Sequence, residues 1–520
     1  MRNQDITKKI IEILSKACEE YFRRKTPAQT LPSDIASEIF LQLPKDPSHG
    51  DLTSNIAMRL ASLAKCSPLE IAQSVASIVQ EMFSQEKILA HSKVDAKGGF
   101  INITLADEYF HDLLAEIYAQ KDDFGASRIG EEKHVNIEFV SANPTGPLTI
   151  AHGRQAAIGD ALSRILKFNG YKVTNEYYLN DIGRQIKLLG QSVKIRYRNL
   201  FGEDLPLPED GYVGEYVIDI AKKIKEEKGD LFLKENAETD EFFRVRAVDA
   251  MMALIRKDLD DFGVSFDVWT SQESIEKKKE VEETLDILEK AGYIFESEGA
   301  KWFASTKFGD DKDRVVVKSD GSYTYLAPDM AYHLDKYRRG YDRLIDLLGP
   351  DHHGYINRMK AAVQALGRDE KSLDILIVQL VTLLRGGQTV SMSTRKAEFV
   401  SLRELIDEIG RDVTRFCFLS RRLDSHLDFD IEVAKKESSD NPVYYIQYAH
   451  ARICSIKKFS RKRSLRLFFV PRRMELLKAK EELQLMRKLS EFPQAIRSGA
   501  EALEPNRVLV YLNELARQFH

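Results

Sequence analysis

A strand, a loop, a helix and a second strand follow one another in this chain and constrain its fold more than any other feature. "KHVNIEFV" has the apolar, β-branched composition of a strand, and "YKVTNEYYL" repeats it. Between them, "RQAAIGDALSRILKFNG" has the spacing of an amphipathic helix that closes near Gly170. Such a βαβ unit builds a parallel, doubly wound sheet. The pattern therefore predicts an α/β fold.

The regions on either side of this unit differ in character. The N-terminal region contains a helix with a serine cap, "SPLEIAQSVASIVQEMF", and a strand after paired glycines, "KGGFINITLA". Strand patterns return at "RVVVKSDGSYTYLAPD" and "YDRLIDLLGPDHH", and "NPVYYIQYAHARICSIKKF" begins an all-helical region. We predict domains at 1–110, 111–430 and 431–520, with a mainly helical, charge-rich insertion in the second at about 190–300.

Composition excludes several classes of protein. With 520 residues, 43% of them hydrophobic and 30% charged, the chain has material for several globular cores. No apolar run approaches the roughly 18 residues of a membrane helix, and the N-terminus lacks the apolar core of a signal peptide. We therefore expect a cytoplasmic protein without membrane contact. Four scattered cysteines without a C-x-x-C pair argue against a zinc ribbon and a disulfide framework.

A basic stretch in the helical C-terminal region is a candidate nucleic-acid interface. Between Ser455 and Arg473 the chain holds eight lysines and arginines and no acidic residue, interleaved with Phe459, Phe468 and Phe469. Cations of this kind neutralise phosphates, and aromatic rings stack on unpaired bases. Composition alone leaves RNA binding and a solvated helix face equally open.

Three loops carry residues suited to nucleotide chemistry, and the first is "FVSANPTGPLTIAHGR". It delivers His152 and Arg154 to the head of the predicted helix, where unpaired N–H groups and the positive end of the helix dipole favour phosphate. Neither the P-loop pattern nor the dinucleotide glycine fingerprint occurs in the chain. The alternative is a helix-capping histidine beside a surface arginine.

The other two loops follow later strands. "LLGPDHHGY" places Asp351, His352 and His353 at a strand end, where open α/β sheets bind ligands, although a polar turn that caps a helix fits equally well. Adjacent histidines cannot easily share one metal, so we expect no metal site there. In "RGGQTVSMSTRKAEF", paired glycines precede a polar, basic stretch that can close on a polyphosphate, against the default of an exposed loop.

Taken in this order, the loops resemble the HIGH and KMSKS signatures that frame ATP on the Rossmann fold of class I aminoacyl-tRNA synthetases. The closer similarity is to the arginyl-tRNA synthetase family, and it runs over essentially the whole chain. The similar stretches are "LPKDPSHGDLTSNIAMRLA", "EFVSANPTGPLTIAHGR", "YYLNDIGRQI", "DGSYTYLAPDMAYH", "GPDHHGYINRMKAA", "MSTRKAEFVSLREL" and "NPVYYIQYAHARI".

The resemblance implies a Rossmann-type catalytic domain between an N-terminal domain that contacts the tRNA elbow and a helical anticodon-binding domain. It implies a further helix and a short tail beyond His520. The implied reaction has two steps: L-arginine and ATP give arginyl-adenylate and pyrophosphate, and the arginyl group then moves to tRNA(Arg). Positioning and electrostatics carry such chemistry. We expect ATP with Mg2+, a monomer, and activation that waits for tRNA.

The resemblance also identifies departures from the family's ATP signatures. Thr149 stands in place of the first histidine of HIGH and Ala151 in place of its glycine. In the KMSKS-type loop both lysines are replaced, by Ser391 and Thr394, and Gly146 stands where some members carry a substitute. We therefore expect the phosphate cation to come from one of three other residues, Arg154, Arg395 or Lys396.

Arginine recognition has its own requirement, because a planar guanidinium pairs best with carboxylates. Glu138 and Asp329 are the acidic residues that the resemblance places in the substrate pocket, and Tyr325 shares a helix face with Asp329. The predicted site residues are, for ATP, Thr149, Ala151, His152, Arg154, Gly349, Asp351, His352, His353, Met392, Ser393, Thr394, Arg395 and Lys396; for arginine, Glu138, Ser141, Asn143, Tyr325 and Asp329; and for tRNA, Lys457, Lys458, Arg461, Lys462 and Arg463.

Two alternatives stay open at the level of sequence. A cytidylyltransferase-like nucleotidyltransferase also uses a histidine-rich helix head on this fold, but it does not need the long helical C-terminal region. Arginine-dependent ATP–pyrophosphate exchange separates the two. A non-catalytic tRNA-binding paralogue is suggested by the altered signatures, and it predicts tRNA binding without aminoacylation.

Overall fold

The computed structural model describes residues 2–25, 35–42, 44, 46–234, 236, 238–390, 400–436, 438, 441–462 and 471–520. The chain forms two compact units. One comprises Met1–Ser127, Ile446–Arg497 and Tyr511–His520, and the other comprises Arg128–Tyr445 and Ser498–Val510. Within the described residues, no helix has both the length and the apolar character needed to cross a membrane.

The N-terminal region of the first unit packs helices against an antiparallel sheet. Its elements are α1 (Arg2–Lys25), α2 (Ile35–Glu38), β1 (Leu41–Gln42), β2 (Leu52–Ser54), α3 (Ile56–Ala64), α4 (Pro68–Ser84), β3 (Lys93–Lys97), β4 (Phe100–Thr104) and α5 (Asp107–Gln120). The strands lie in the order β1-β2-β4-β3. Ser67 and Glu70 form a capping box at the start of α4, and Gly98 and Gly99 turn the chain between β3 and β4 with positive φ. The predicted capped helix and glycine-led strand are therefore confirmed.

The second unit contains most of the remaining elements. They are β5 (His134–Glu138), α6 (Ile150–Phe168), β6 (Lys172–Leu179), α7 (Arg184–Asn199), α8 (Glu215–Lys228), α9 (Thr239–Asp261), β7 (Val268–Ser271), α10 (Gln272–Lys277), α11 (Glu280–Lys290), β8 (Ile294–Ser297), β9 (Ala300–Phe303), β10 (Arg314–Val317), α12 (Leu326–Arg338), β11 (Arg343–Leu348), α13 (Ile356–Ala365), β12 (Leu373–Ile377), β13 (Val381–Arg385), β14 (Gln388–Thr389), α14 (Leu402–Ile409), α15 (Arg411–Leu419), β15 (Leu427–Asp430) and α16 (Ile431–Ala434).

A parallel sheet organises this second unit. Among the described residues its strands lie in the order β12-β11-β5-β6-β7, and every neighbouring pair is parallel. The predicted βαβ unit is confirmed as β5, α6 and β6. Because β6 lies on one side of β5 and β11 on the other, the strand order reverses between β5 and β11. Open α/β sheets bind ligands at such a switch point, outside the carboxyl ends of the strands.

Helix α6 is more deeply buried than its amphipathic pattern indicates. Its polar residues Gln155, Asp160 and Ser163 are buried together with its apolar ones. Asp160 pairs with the guanidinium of Arg415 from α15, so the polar side of α6 faces protein instead of water. A Cβ on Gly159 would lie 2.3 Å from the ring of Phe139, so glycine allows α6 to pack closely against the chain that follows β5.

The chain ends in helices, as the sequence predicts. The elements are α17 (Pro442–Lys462), α18 (Lys480–Ser490), α19 (Phe492–Glu501) and α20 (Asn506–Phe519). Within the first unit, the ring of Phe492 stacks on Phe124, and Arg487 forms an ion pair with Asp51 at 2.6 Å. Helix α18 and the start of α19 therefore share a core with the N-terminal region.

Candidate active site

The predicted arginine-binding residues gather at the switch point of the parallel sheet. Glu138 is the last residue of β5, and the loop 139–149 leads from it to α6. Asp329 lies in the first turn of α12. His333 Nδ1 lies 2.8 Å from the Asp329 carbonyl oxygen, and its Nε2 lies 2.8 Å from Asp346 Oδ2. Asp346 is in register with Glu138, so the two predicted carboxylates belong to one cluster.

Three carboxylates stand side by side on adjacent strands beneath this site. Asp346 of β11 is in register with Glu138 of β5, and Glu138 is in register with Glu176 of β6. All three side chains are buried. Like charges in register on neighbouring strands repel one another, so the row requires cations that the sheet itself does not supply.

Lys336 of α12 supplies one of these cations and is fully buried. Its Nζ donates to Glu138 Oε2 at 2.6 Å and to Asp346 Oδ1 at 3.1 Å. His333 places its Nε2 2.8 Å from Asp346 Oδ2. Burial acts to raise the pKa of Asp346, but Lys336 and His333 outweigh it and hold that pKa well below its usual range. For Glu138, burial outweighs Lys336 and raises the pKa.

Glu176 is neutralised from a different direction. Both of its oxygens accept from the guanidinium of Arg339 at 2.9 Å, in the bidentate geometry that favours such pairs. Asn136 and Tyr332 also donate to it, at 2.6 and 2.9 Å. Burial acts to raise the pKa of Glu176, but the charge of Lys336 and the hydrogen bonds and charge of Arg339 outweigh it and lower that pKa. Glu176 is therefore saturated with partners inside the fold.

Asp329 differs from the other carboxylates because it is partly exposed and forms no ion pair within the described residues. The hydroxyl of Tyr355 donates to its Oδ2, and the described part of the chain offers it no ion-pair partner. Burial raises the pKa of Asp329 to about 6, although Tyr355 acts in the opposite direction. The predicted neighbour Tyr325 lies just before α12 and is 82% exposed. The site therefore presents one carboxylate with unsatisfied negative charge.

The loop between β5 and α6 has an unusual backbone. Val140 and Ser141 adopt φ values of 69° and 38°, in a region that residues with a Cβ rarely enter and that is costly for a β-branched side chain. Ser141 Oγ donates to Glu138 Oε1 at 3.0 Å and accepts from the N–H of Tyr178 at 3.1 Å. Asn143, also predicted to bind arginine, is exposed and donates to Gln185 at 3.0 Å.

The head of α6 fixes the protonation of His152. The backbone N–H of Thr149 donates to His152 Nδ1 at 3.2 Å, and the Thr149 hydroxyl lies 3.2 Å from the same atom. Burial lowers the pKa of His152 to about 4, so the ring is neutral near pH 7. Because Nδ1 accepts, its proton lies on Nε2, which makes Nε2–H the donor that a phosphate can use. Thr149 therefore orients His152. Ala151 lies between them in the first turn of α6.

The predicted phosphate role of Arg154 requires correction. Its side chain is fully buried, and its two terminal nitrogens donate to the carbonyls of Gln379, Leu380, Arg422 and Ser425 at 2.7–3.3 Å. Burial also lowers the pKa of its guanidinium to about 10. The physical reason is that these carbonyls occupy the donors a phosphate would need. Arg154 therefore joins α6 to the chain around β13 and β15.

The second predicted loop forms a 3-10 turn, Pro350–Tyr355, after β11. Asp351 and His352 are both exposed, with His352 Nε2 3.4 Å from Asp351 Oδ2. A Cβ on Gly349 would lie 2.7 Å from Asp351 Oδ1, the end of an exposed side chain that can move aside. The side chain of His353 lies outside the described residues.

Several predicted residues cannot be placed by the structure. Met392, Ser393, Thr394, Arg395 and Lys396 lie outside the described residues, as does Arg463. In the hairpin that leads to this segment, the N–H groups of Gly386 and Gly387 donate to Asp430. The described tRNA candidates are exposed on α17: Lys457, Lys458, Arg461 and Lys462.

The sequence did not predict the residues that pair the charges of this site, namely Glu176, His333, Lys336, Arg339, Asp346 and Tyr355. A signal for some of them exists on α12, where Asp329, His333 and Lys336 recur at intervals of four and three residues and so lie on one helix face. Such spacing is more often a solvated face. It becomes informative only with a buried acidic partner such as Asp346 on a neighbouring strand.

Family profiles match three parts of the chain. Residues 4–105 match "Arginyl tRNA synthetase N terminal domain", residues 113–417 match "tRNA synthetases class I (R), catalytic domain", and residues 446–520 match "DALR anticodon binding domain". The catalytic profile spans the parallel sheet and the four carboxylates Glu138, Glu176, Asp329 and Asp346. The predicted fold class, with its N-terminal and helical C-terminal regions, is therefore confirmed.

Known proteins agree with these profiles. The chain is 47% identical over 492 residues to an arginine–tRNA ligase of Citrifermentans bemidjiense, covering 94% of this chain and 88% of that protein. It is 43% identical to the arginine–tRNA ligase of Shouchella clausii, over 96% of this chain and 90% of the relative. A crystal structure of a Campylobacter jejuni arginyl-tRNA synthetase is 37% identical with a TM-score of 0.74, covering 80% of this chain and 90% of that one.

The Thermus thermophilus arginyl-tRNA synthetase, at 19% identity, shares the fold with a TM-score of 0.72 over 98% of this chain and 90% of that one. Relatives of 43–47% identity over nearly the whole length of the chain are arginine–tRNA ligases, which excludes the alternative of a cytidylyltransferase-like nucleotidyltransferase. The chain therefore belongs to the arginyl-tRNA synthetase family, the class I ligases that attach L-arginine to tRNA at the expense of ATP.

Proposed function

We propose that, in the ligation of arginine to tRNA, Asp329 is the residue that binds the guanidinium group of L-arginine. One observation carries this proposal: Asp329 is the carboxylate of the cluster that meets solvent and has only a neutral hydrogen-bond partner among the described residues. A guanidinium brought to it gains a charge-assisted pair without displacing an existing cation. Tyr325, exposed one helical turn earlier, is a candidate to cover the bound side chain.

Glu138 has a different role in this proposal. Lys336 donates to one of its oxygens and Ser141 to the other. Glu138 therefore acts on arginine indirectly, by positioning Lys336 and Ser141. Glu138 holds Ser141, whose hydroxyl also accepts from the Tyr178 N–H. Asn143, which is exposed beside it, is the proposed contact for the polar end of the amino acid.

On the nucleotide side, we propose that His152 donates from Nε2 to the phosphates of MgATP. Its neutral, fixed tautomer supports this role, because the donor needs no protonation change as charge develops on the phosphate. With Arg154 engaged by carbonyls, Arg395 and Lys396 are the remaining proposed sources of the cation. Gly349, Asp351, His352 and His353 are the proposed contacts to the nucleoside, at the carboxyl end of β11.

The tRNA contacts are proposed to include the exposed cations of α17. Lys457, Lys458, Arg461 and Lys462 accompany Phe459, which is 57% exposed and aromatic, the residue type on which unpaired bases stack. Arg463 continues the same basic stretch. We propose that the enzyme acts as a cytoplasmic monomer, with functional domains at 1–110, 111–430 and 431–520.

The ionisation of Asp329 gives a test of the proposed arginine site. Arginine stays cationic throughout the acid range, whereas Asp329 loses its charge as the pH falls through about 6. We expect the KM for arginine to be constant above pH 7 and to rise about tenfold for each pH unit below 6, because binding requires the carboxylate. The measurement is arginine-dependent ATP–pyrophosphate exchange with tRNA present, between pH 5 and 8.

His333 also titrates near this site, since Asp346 raises its pKa against the effect of burial. Asp329→Asn is therefore the decisive comparison, because it removes one titrating group and leaves the other. The acid rise in KM should disappear in this variant. An unchanged rise would assign the pH dependence to another group and contradict the proposed role of Asp329.

A further inference from the structure

Tyrosine hydroxyls from neighbouring elements donate to backbone carbonyls of the loop 141–149. Tyr177 of β6 donates from its hydroxyl to the carbonyl of Ala142 at 2.8 Å. Tyr216 of α8 donates in the same way to the carbonyl of Thr145 at 2.8 Å.

These contacts stabilise a backbone conformation that the residues of the loop do not favour by themselves. Val140 and Ser141 both adopt positive φ without being glycine. Such conformations persist only when the surrounding structure determines them more strongly than the chain's own preferences do. The hydroxyls of Tyr177 and Tyr216, which donate to the carbonyls of Ala142 and Thr145, provide such surrounding constraints.

Tyr216 is the most informative of these groups because it comes from the helical segment between β6 and β7. Its ring packs against the core that α7, α8 and α9 share, which includes Val217 and Ile220. The position of its hydroxyl is therefore set by that core. Through this hydrogen bond, the helical segment holds the main chain four residues before Thr149.

We propose that Tyr216 is a positioning residue for adenylate formation, whose hydroxyl holds the Thr145 carbonyl and thereby sets the loop that carries Asn143, Thr149 and His152. The inference rests on the proposed role of this loop in binding arginine and ATP. Catalysis by alignment is sensitive to displacement, and a shift of about 1 Å in a reacting group can cost roughly 100-fold in rate.

The test removes one oxygen atom. In Tyr216→Phe, the ring still packs against the helical core, but the Thr145 carbonyl loses its donor. We expect kcat for arginine-dependent ATP–pyrophosphate exchange, measured per titrated active site with tRNA present, to fall about tenfold at saturating substrates. A role confined to stability would lower the amount of folded enzyme and leave kcat per active site unchanged.

Tyr197→Phe is the matched control. Tyr197 lies in α7 of the same helical segment and donates to the carbonyl of Gly229 at 2.6 Å, away from the loop. We expect its kcat to stay within twofold of the wild type and its thermal midpoint to match that of Tyr216→Phe. The proposal is overturned if Tyr216→Phe keeps kcat within twofold of the wild type, or if Tyr197→Phe loses as much.

Asp329→Asn, assayed alongside, separates the two levels of failure. If Asp329→Asn loses arginine-dependent exchange while Tyr216→Phe retains it, the positioning role alone is wrong. If Asp329→Asn keeps full activity, the proposed arginine site is wrong. In that case, a selective fall in kcat for Tyr216→Phe still supports its action on the loop.

Discussion

Asp329→Asn is expected to lower kcat/KM for arginine by about 100- to 1000-fold, the largest catalytic loss of any single substitution in the arginine site. The change is nearly isosteric and keeps a partner for the Tyr355 hydroxyl, but it removes the charge that faces the substrate. Loss of one member of a desolvated charge pair costs about 2–5 kcal/mol, and each 1.36 kcal/mol corresponds to about tenfold. The assay is arginine-dependent ATP–pyrophosphate exchange with tRNA present.

Asp286→Asn provides the same chemical change away from the site. Asp286 forms an exposed pair with Lys290 along α11 at 2.6 Å, and its loss should leave kcat/KM unchanged. Asp329→Asn should unfold at the wild-type temperature or above it, because it removes a carboxylate whose pKa burial raises. A variant that activates arginine within threefold of the wild type would show that the guanidinium binds elsewhere.

Lys336→Met is expected to destabilise the protein by about 3–5 kcal/mol, the cost of leaving buried carboxylates without their cation. Methionine matches the length of the lysine stem, so little volume is lost. Glu138 and Asp346 would then face each other across neighbouring strands without Nζ between them. Urea unfolding at pH 8 measures the loss.

The pH dependence of this loss has a definite sign. Without Lys336, the folded-state pKa values of both carboxylates rise above their unfolded values of about 4, so each ionised carboxylate costs stability above that pH. The destabilisation should therefore be larger at pH 8 than at pH 5. Lys290→Met, in the exposed α11 pair, should show no such dependence. Equal losses for Lys336→Met at both pH values would mean that Glu138 and Asp346 are not left charged.

The elements governed by local chemistry could be predicted from sequence. The Ser67 cap predicts the start of α4, and the succession of strand, helix and strand predicts the order of β5, α6 and β6. Glu138 and Asp329 could be named as candidate site residues because family motifs carry them. Each of these inferences depends on residues close together in the chain or on complete motif sequences shared with the family.

The charge pairing of the site could not be predicted, because its partners are distant in sequence. Glu138 meets Lys336 from 198 positions away, and the spacing of charges on α12 alone is that of a surface helix. Arg154 shows the converse error. Its place at a helix head suggests phosphate binding, but carbonyls more than 220 positions along the chain saturate its donors. Burial decides both cases, and only the folded chain reveals it.

Proton release on arginine binding tests the central claim most directly, because it counts the ionisation of Asp329 without requiring catalysis. Calorimetric titration of arginine at pH 6, in two buffers of different ionisation enthalpy, should show release of roughly half a proton, since about half of Asp329 is protonated at its pKa and must ionise to bind a guanidinium. At pH 7.5 the release should be close to zero, and Asp329→Asn should release none at either pH. Binding at pH 6 without proton release, or with the same release in Asp329→Asn, would contradict the assignment of Asp329 as the guanidinium ligand.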